Sequence, residues 1–200
     1  MKNILIIGGG GHAKSCIDVI LHDKEFSISG INDPKISTSP FQDIPLIEGS
    51  LEELFASYKI VFLGIGFIKD ASSRKSLVKT IQQIGFTTPS FISPFAYSSV
   101  DSKIGEGTII MHQALINTHV TIGSFSIINS QALIEHDVQI GSNCHISTGA
   151  VINGSTTIGS NTFIGSNAVI GNNLTIGDNC TVQAGSFLNR SLDSNEIFKA

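Results

Sequence analysis

The stretch that decides the fold is residues 134–175, which read IEHDVQ-IGSNCH-ISTGAV-INGSTT-IGSNTF-IGSNAV-IGNNLT. Isoleucine stands at every sixth position from Ile104 to Ile176, and Val182 and Leu188 continue the series. A period of six fits neither an amphipathic helix nor a meander of alternating strands. It predicts a solenoid of short parallel strands, in which three faces make one coil and each face points one aliphatic side chain inward. The fifteen hexapeptides of this series predict five coils.

Composition divides the chain into two parts. The last of the five prolines is Pro94, and Lys and Arg are absent between Ile104 and Asn189. The charged residues of that stretch are Glu106, Glu135, Asp137 and Asp178. A compositional shift of this kind marks a domain boundary, and we predict domains at 1–93 and 94–200.

The composition also excludes several classes of protein. Of the 200 residues, 41% are hydrophobic and 14% are charged, which argues against a disordered chain. A net charge of −4 argues against nucleic acid as the main partner, because phosphate binding needs clustered Lys and Arg. The aliphatic run 4–7 is too short to span a membrane or to form a signal peptide. We therefore expect a cytoplasmic protein with no membrane partner.

Residues 1–93 have the pattern of a small α/β unit. We expect strand, turn, helix, strand, helix, strand and helix over residues 2–7, 8–12, 13–22, 28–31, 51–58, 60–65 and 71–84. The turn contains Gly8-x-Gly10-x-x-Ala13, a spacing in which backbone N–H groups and a helix N-terminus receive a phosphate. Asp33 follows the second strand, where a ribose-binding acid can stand. Because 93 residues are too few for two mononucleotide halves, one nucleotide half-site is the better interpretation.

The combination of the two parts resembles one known family. A Gly8-Gly-Gly-Gly-His12-Ala turn, followed by hexapeptides that contain Ile134-Glu-His136-Asp, is similar to the sialic acid O-acetyltransferases and the bacterial UDP-4-amino-sugar N-acetyltransferases (the NeuD/PglD-like proteins). The resemblance implies a left-handed parallel β-helix after the α/β nucleotide-binding unit. It also implies a homotrimer with acetyl-CoA in the cleft between neighbouring chains. The nucleotide contacts that it implies are Gly10, Gly11, His12, Asn32, Asp33 and Gly66, although relatives usually carry two acids at positions 32 and 33.

His136 is the candidate general base. Acyl transfer from a thioester needs a base for the attacking group and hydrogen-bond donors for the oxyanion, and we expect backbone N–H groups of the cleft to be these donors. Glu135 and Asp137 flank His136, and a carboxylate beside an imidazole raises its basicity and fixes its tautomer. The resemblance places His136 at the family's catalytic position, with Asp137 where Glu is usual. Whether Glu135 or Asp137 is the partner stays open.

Other site residues are implied by the resemblance alone. They are Asn129 near the sugar, and His145, Gly154, Ala184 and Gly185 near the coenzyme. Ordinary corner packing explains each of them about equally well. The coenzyme phosphates would depend on backbone N–H groups, Arg190, Lys199 or a neighbouring chain. Relatives continue into a tail beyond Asn195, so we expect that the coenzyme contacts of that tail are missing or that the chain is short.

These observations predict an acetyl-CoA-dependent N-acetyltransferase of a UDP-linked 4-amino-deoxy sugar. The alternative is O-acetylation of sialic acid or a related nonulosonic acid. A zinc hydratase built on His119, His136 and His145 would need a close histidine pair four residues apart, and we expect no metal. A scaffold or ice-binding helix would need ranks of Thr-x-Thr, which do not recur.

Two predictions test the 18-residue coil. Cys144 and Cys180 stand two coils apart, too far for a disulfide. His119 stands one coil before Asp137, so it should lie directly over that residue.

Overall fold

A computed structural model describes residues 1–68 and 70–199. Lys69 and Ala200, which fall within the two predicted domains, lie outside the described residues. The chain forms two compact units, Met1–Gly66 with Ser72–Phe91, and Phe67–Ala71 with Ile92–Ala200. The predicted domain bounds, 1–93 and 94–200, stay predictions. The functions predicted for the two domains stay predictions.

The first unit is a three-stranded parallel sheet with helices. The sheet has the order β2-β1-β3, from β1 (Lys2–Ile7), β2 (Phe26–Asn32) and β3 (Val61–Leu63). The helices are α1 (Gly11–Leu21), α2 (Leu51–Leu54) and α3 (Ser72–Ile84). The order of elements agrees with the prediction, but α2 is only four residues long where residues 51–58 were expected. Its start is fixed by a capping box between Ser50 and Glu53.

The second unit is a parallel β-helix made of two-residue strands. The strand β4 (Phe91–Ile92) lies where the chain passes into it. The first face stacks β7 (Ile109–Ile110), β10 (Ile127–Ile128), β13 (His145–Ile146), β16 (Phe163–Ile164), β19 (Thr181–Val182) and β21 (Ile197–Phe198). The second face stacks β5 (Tyr97–Ser98), β8 (Leu115–Ile116), β11 (Leu133–Ile134), β14 (Val151–Ile152), β17 (Val169–Ile170) and β20 (Phe187–Leu188). The third face stacks β6 (Lys103–Ile104), β9 (Thr121–Ile122), β12 (Gln139–Ile140), β15 (Thr157–Ile158) and β18 (Thr175–Ile176).

The strand register confirms the 18-residue coil. Ile116, Ile134, Ile152 and Ile170 pair in succession along the second face, each 18 residues after the last. The predicted fold class, an α/β unit followed by a left-handed parallel β-helix, is confirmed. The helix has about six turns rather than five. The series of isoleucines misses the additional turn because Ser98 holds the inward position of β5, and because Leu192 follows Leu188 after only four residues.

The corners explain the small residues of the repeat. One corner column consists of Thr108, Ser126, Cys144, Thr162 and Cys180, all buried. Their hydroxyl or thiol groups donate to backbone carbonyls of the next coil, as Thr108 Oγ1 does to Gly123 O at 2.9 Å and Cys144 Sγ to Gly159 O at 3.0 Å. All three cysteines of the chain are free and buried, and Cys144 and Cys180 stand two coils apart in this column, as the 18-residue coil predicts.

The three faces of the β-helix carry different outward side chains. Those of the third face are polar and exposed: Lys103, Thr121, Gln139, Thr157 and Thr175. On the first face the outward residues Ile109, Ile127, His145 and Phe163 are buried. The second face presents an apolar column that is exposed or half-buried: Tyr97, Leu115, Leu133, Val151, Val169 and Phe187. We call this column the apolar face.

Candidate active site

His136 and Asp137 form a hydrogen-bonded pair at the corner that follows β11. His136 Nδ1 lies 2.9 Å from Asp137 Oδ2, and each side chain is 53% exposed. Asp137 adopts a left-handed backbone conformation with φ of 60°, which short polar side chains tolerate. Because the carboxylate accepts the Nδ1–H hydrogen bond, the lone pair of the neutral imidazole lies on Nε2. The pair therefore has the geometry of a histidine base oriented by a carboxylate.

Gly154 makes room for the imidazole of His136. It stands one coil further along, and a Cβ at this position would lie 2.7 Å from both Cε1 and Nε2 of the ring. A side chain here would force the imidazole to move, because Cβ atoms essentially never approach so closely. Gly154 is thus part of the site through its lack of a side chain. The coenzyme contact expected of Gly154 stays a prediction.

The flanking carboxylates have different partners. Glu135 Oε2 accepts a hydrogen bond of 2.9 Å from Asn117 Nδ2 on the preceding coil. Among the described residues, Asp137 is the carboxylate that pairs with His136. The geometry therefore favours Asp137 in the choice that the sequence left open.

His119 lies over Asp137, as the coil arithmetic predicts. Its Nδ1 is 3.6 Å from Asp137 Oδ1, and its Nε2 is 3.0 Å from Asp101 Oδ2. Asp137 therefore uses one oxygen toward His119 and the other toward His136, so the two imidazoles do not compete. Sequence reasoning missed Asp101 because it precedes the first isoleucine of the repeat.

Asp101 is a strongly held carboxylate. Hydrogen bonds from Ser99 Oγ (2.6 Å) and Thr118 Oγ1 (2.7 Å) lower the pKa of Asp101 to about 2. Since this pKa is depressed in the folded chain, its contribution to stability is present above the ordinary pKa of 3.8 and is lost as the pH falls through about 2. The charge of Asp101 is therefore constant across the physiological range.

The other predicted β-helix residues lie at a different corner or on the first face. Asn129 follows β10, and its Nδ2 lies 3.3 Å from Nε2 of His145 in β13. His145 Nδ1 lies 2.7 Å from the carbonyl oxygen of Phe67, and the ring packs edge-on against Phe67 and Phe163. With only 7% of its surface exposed, His145 has the environment of a packed structural residue. Its expected coenzyme contact stays a prediction, as does the sugar contact of Asn129.

Ala184 and Gly185 follow β19 and occupy the same corner as Asn129, three coils further along the β-helix. Gly185 has φ of 70°, and no described atom lies within 4 Å of a Cβ built on it. Its backbone is therefore open to a ligand. Apart from His145, which lies on the first face, the predicted β-helix site residues thus fall on the two corners at either edge of the apolar face. One corner brings together His136, Asp137 and Gly154, and the other holds Asn129, Ala184 and Gly185.

The glycine turn of the first unit is built to expose backbone N–H groups. Gly8 N donates to Asn32 O and Gly9 N to Asp33 Oδ2, both at 2.8 Å, which fixes the turn to the end of β2. Gly10 is the N-cap of α1, and among the described residues no atom lies within 4 Å of a Cβ at Gly10 or Gly11. An open helix N-terminus of this kind favours an anion.

The two polar residues after β2 hold neighbouring loops. Asn32 Nδ2 donates to Ile47 O at 2.8 Å and to Gly49 O at 3.1 Å. Asp33 Oδ1 accepts from Lys35 N at 2.9 Å. These bonds give both residues a structural role, and their nucleotide contacts stay predictions.

His12 lies beside two residues of the same unit. Its Nε2 is 3.3 Å from Cys16 Sγ, and a Cβ on Gly66 would lie 3.4 Å from its Cγ. Burial raises the pKa of Cys16 to about 12, with a smaller opposing effect from the positive charge of Arg74. The thiol therefore stays protonated at neutral pH. The structure brings His12 and Gly66 together beside the glycine turn, and their nucleotide contacts stay predictions.

Neither a membrane-spanning helix nor a metal-binding cluster is found in the described part of the chain. Within residues 1–68 and 70–199, no helix has the length and apolar character needed to cross a membrane. Within the same residues, no group of three His, Cys, Asp or Glu side chains converges as a metal site.

Comparison with family models identifies both units. Residues 3–81 match the PglD N-terminal domain, and residues 119–154 and 155–190 match the bacterial transferase hexapeptide repeats. The chain is thus a hexapeptide-repeat transferase with a PglD-type N-terminal domain. It belongs to the sugar acetyltransferases of the PglD/NeuD-like family, as the sequence predicted. No curated protein gives a significant match.

Solved structures with the same two-part architecture are similar along nearly the whole chain. A perosamine N-acetyltransferase variant from Caulobacter crescentus, in complex with CoA and GDP-perosamine, is 28% identical, with a TM-score of 0.89 over 98% of this chain and 93% of that one. PerB from Caulobacter crescentus, with the same two ligands, gives 28% identity and a TM-score of 0.87 over the same shares. The acetyltransferase domain of PglB from Neisseria gonorrhoeae is 24% identical, with a TM-score of 0.89 over 98% and 96%, and it supports the fold alone.

Proposed function

We propose that the protein transfers an acetyl group from acetyl-CoA to the amino group of a nucleotide-linked 4-amino-deoxy sugar, with His136 as the general base. The observation that carries this proposal is the His136–Asp137 pair, whose half-exposed imidazole has Nε2 as its acceptor nitrogen. The similarity to proteins crystallised with CoA and GDP-perosamine supports acetyl-CoA as the co-substrate and an amino sugar as the acceptor. These substrates also favour a cytoplasmic site of action.

The proposed reaction is a direct transfer. The amino nitrogen attacks the thioester carbonyl carbon, and His136 Nε2 accepts the proton that the nitrogen loses. The carbon–sulfur bond then breaks, and the proton passes to the sulfur of the departing CoA. Asp137 holds Nδ1–H and stabilises the imidazolium that forms between these two steps.

The first unit is proposed to hold the nucleotide. The open backbone of Gly10 and Gly11 at the N-terminus of α1 suits the diphosphate, with His12 and Gly66 beside it. UDP is the nucleotide implied by the sequence resemblance, while GDP-perosamine is bound in the similar Caulobacter protein. A nucleotide site favours a nucleotide-linked acceptor over free sialic acid, whose O-acetylation is the second candidate activity.

We further propose that three copies assemble through the apolar face. An exposed apolar column of this length is unusual on a monomer and marks an interface. The corners at its two edges carry the predicted site residues, so a copy docked there would line the same cleft. Leu115→Glu combined with Leu133→Glu should dissociate the trimer, as measured by light scattering. The control variant, Thr121→Glu with Gln139→Glu on the polar third face, should stay trimeric. A monomeric wild type would contradict this proposal.

Mass spectrometry after incubation with acetyl-CoA tests the activity. The acceptors would be UDP- and GDP-linked 4-amino-4,6-dideoxy sugars, the matching 4-hydroxy sugars, and free sialic acids. We expect one acetyl group on a nucleotide-linked amino sugar and none on its hydroxy counterpart. Acetylation of sialic acid alone would replace the first candidate by the second, and transfer to no acceptor would contradict both.

A further inference from the structure

Carboxylates and imidazoles alternate along one corner of the β-helix. Asp101 Oδ2 contacts His119 Nε2 at 3.0 Å, His119 Nδ1 contacts Asp137 Oδ1 at 3.6 Å, and Asp137 Oδ2 contacts His136 Nδ1 at 2.9 Å. The four side chains come from three successive coils. The chain of contacts ends at the proposed base.

The Asp101 end of this series of contacts is held by hydrogen bonds. Both oxygens of Asp101 accept hydroxyl hydrogen bonds, from Ser99 at 2.6 Å and Thr118 at 2.7 Å. The neighbouring carboxylate, Glu135, is bonded to Asn117 and does not take part. Asp101 therefore provides a fixed acceptor that orients the ring of His119 across the corner.

The carboxylate of Asp137, at the His136 end of this series, needs a second partner to hold its orientation. Asp137 is 53% exposed, and water competes for its oxygens unless a second partner limits rotation of the carboxylate. His119 supplies that partner from the left-handed corner position, with φ of 58°, through an ion-pair contact of 3.6 Å. Only the protonated ring carries an N–H toward each of the two carboxylates, so His119 bridges Asp101 and Asp137 as an imidazolium. The equivalent positions one and two coils beyond Asp137 hold Ser155 and Asn173. Serine and asparagine occupy this left-handed position there, so the turn itself does not require a histidine.

We propose that His119, anchored by Asp101, is a positioning residue that holds Asp137 in the orientation in which it engages His136. This inference rests on the proposed role of His136 as the base. His119 touches neither His136 nor the reacting atoms in this scheme. Its effect on turnover therefore passes through Asp137.

The matched variant is His119→Asn, since asparagine keeps the left-handed turn but cannot span the two carboxylates. We expect kcat to fall about 3- to 30-fold, the range of coupling between contacting residues, with KM for acetyl-CoA unchanged. In an Asp137→Asn background the same change should have no further effect on kcat. Asn173→Ala, in the same corner column, is the control for the turn and should leave kcat unchanged.

Imidazole ¹⁵N NMR gives a readout that needs no substrate. We expect the Nδ1–H tautomer of His136 in the wild type and a mixture of tautomers in His119→Asn, with His136→Gln used for the resonance assignment. If the wild type acetylates none of the acceptors but this tautomer shift occurs, the proposed function fails and the positioning role stands. An unchanged kcat in His119→Asn, or a loss that adds in full to that of Asp137→Asn, would overturn the inference.

Discussion

His136 and His145 are nine residues apart in the same β-helix and have opposite environments. His136 stands at a corner, half-exposed and paired with the carboxylate of Asp137. His145 lies in a strand of the first face, buried between Phe67 and Phe163, with hydrogen-bond partners at both ring nitrogens. The comparison teaches that position in the hexapeptide determines what a histidine can do. The corner histidine is half-exposed beside a carboxylate, whereas a histidine on the outward side of a strand has the environment of whatever covers that face.

The largest effect is expected at the corner histidine. His136→Ala should lower kcat by about 10²- to 10⁴-fold, the usual contribution of a general base. Binding of acetyl-CoA and of the sugar nucleotide should change little, because the imidazole acts mainly in the transition state. Steady-state kinetics and calorimetry measure the two quantities. A variant that loses binding and keeps its turnover would assign His136 to substrate recognition instead.

The two flanking carboxylates should differ in the same way as the two histidines. Asp137→Asn should lower kcat about 10- to 100-fold, because the base stays while its tautomer and orientation are lost. Glu135→Gln serves as the control, since Glu135 is bonded to Asn117, and its kcat should stay within about twofold of the wild type. Equal losses in the two variants would mean that the pairing seen at Asp137 does not govern the base.

Gly154→Ala should disturb the corner without touching the base itself. The new Cβ would meet the His136 ring at 2.7 Å, and the ring can swing away because it ends an exposed side chain. We expect about a tenfold loss of kcat with little change in melting temperature. Gly171→Ala on the next coil is the control, because its Cβ would meet only contacts of 3.3 Å or more. An active Gly154→Ala enzyme would show that the ring needs no fixed place.

The smallest effect on catalysis is expected at the buried histidine, where substitution should lower the stability of the fold instead. His145→Ala removes the partner of the Phe67 carbonyl and leaves a cavity beside Phe163, at a cost of about 2–4 kcal/mol. Thermal and urea unfolding measure this cost, and kcat should stay near the wild-type value. A selective rise in KM for acetyl-CoA would instead support the coenzyme contact that the sequence resemblance implies.

Periodicity predicted most of the β-helix, because every coil has equivalent inward positions and isoleucine fills most of them. It failed at Ser98 and Leu192, where the end coils use another residue or a shorter turn. The resemblance and the cluster of charges together indicated His136 and Asp137. Asp101 was missed because it precedes the first isoleucine of the series, although it stands one coil spacing of 18 residues before His119.

Sequence periodicity also could not anticipate the environment of His145. The contact with Phe67 joins residues 78 positions apart. It depends on the tertiary placement of Phe67 against the first face, and no repeat encodes that placement. The contacts within the corner site can be predicted from the sequence, because its residues recur at the coil spacing. The residues that cover a face of the β-helix cannot be predicted in this way, because they lie outside the repeat.

Chemical rescue of His136→Ala by free imidazole tests the central claim, that the corner imidazole is the base, most directly. Imidazole has a pKa near that of histidine and fits the space that the deleted ring leaves between Asp137 and Gly154. We predict that acetyl transfer by the variant rises with imidazole concentration, that wild-type turnover does not, and that the rescue weakens when Asp137→Asn is added. Turnover of His136→Ala within about threefold of the wild type, with no response to imidazole, would contradict the account.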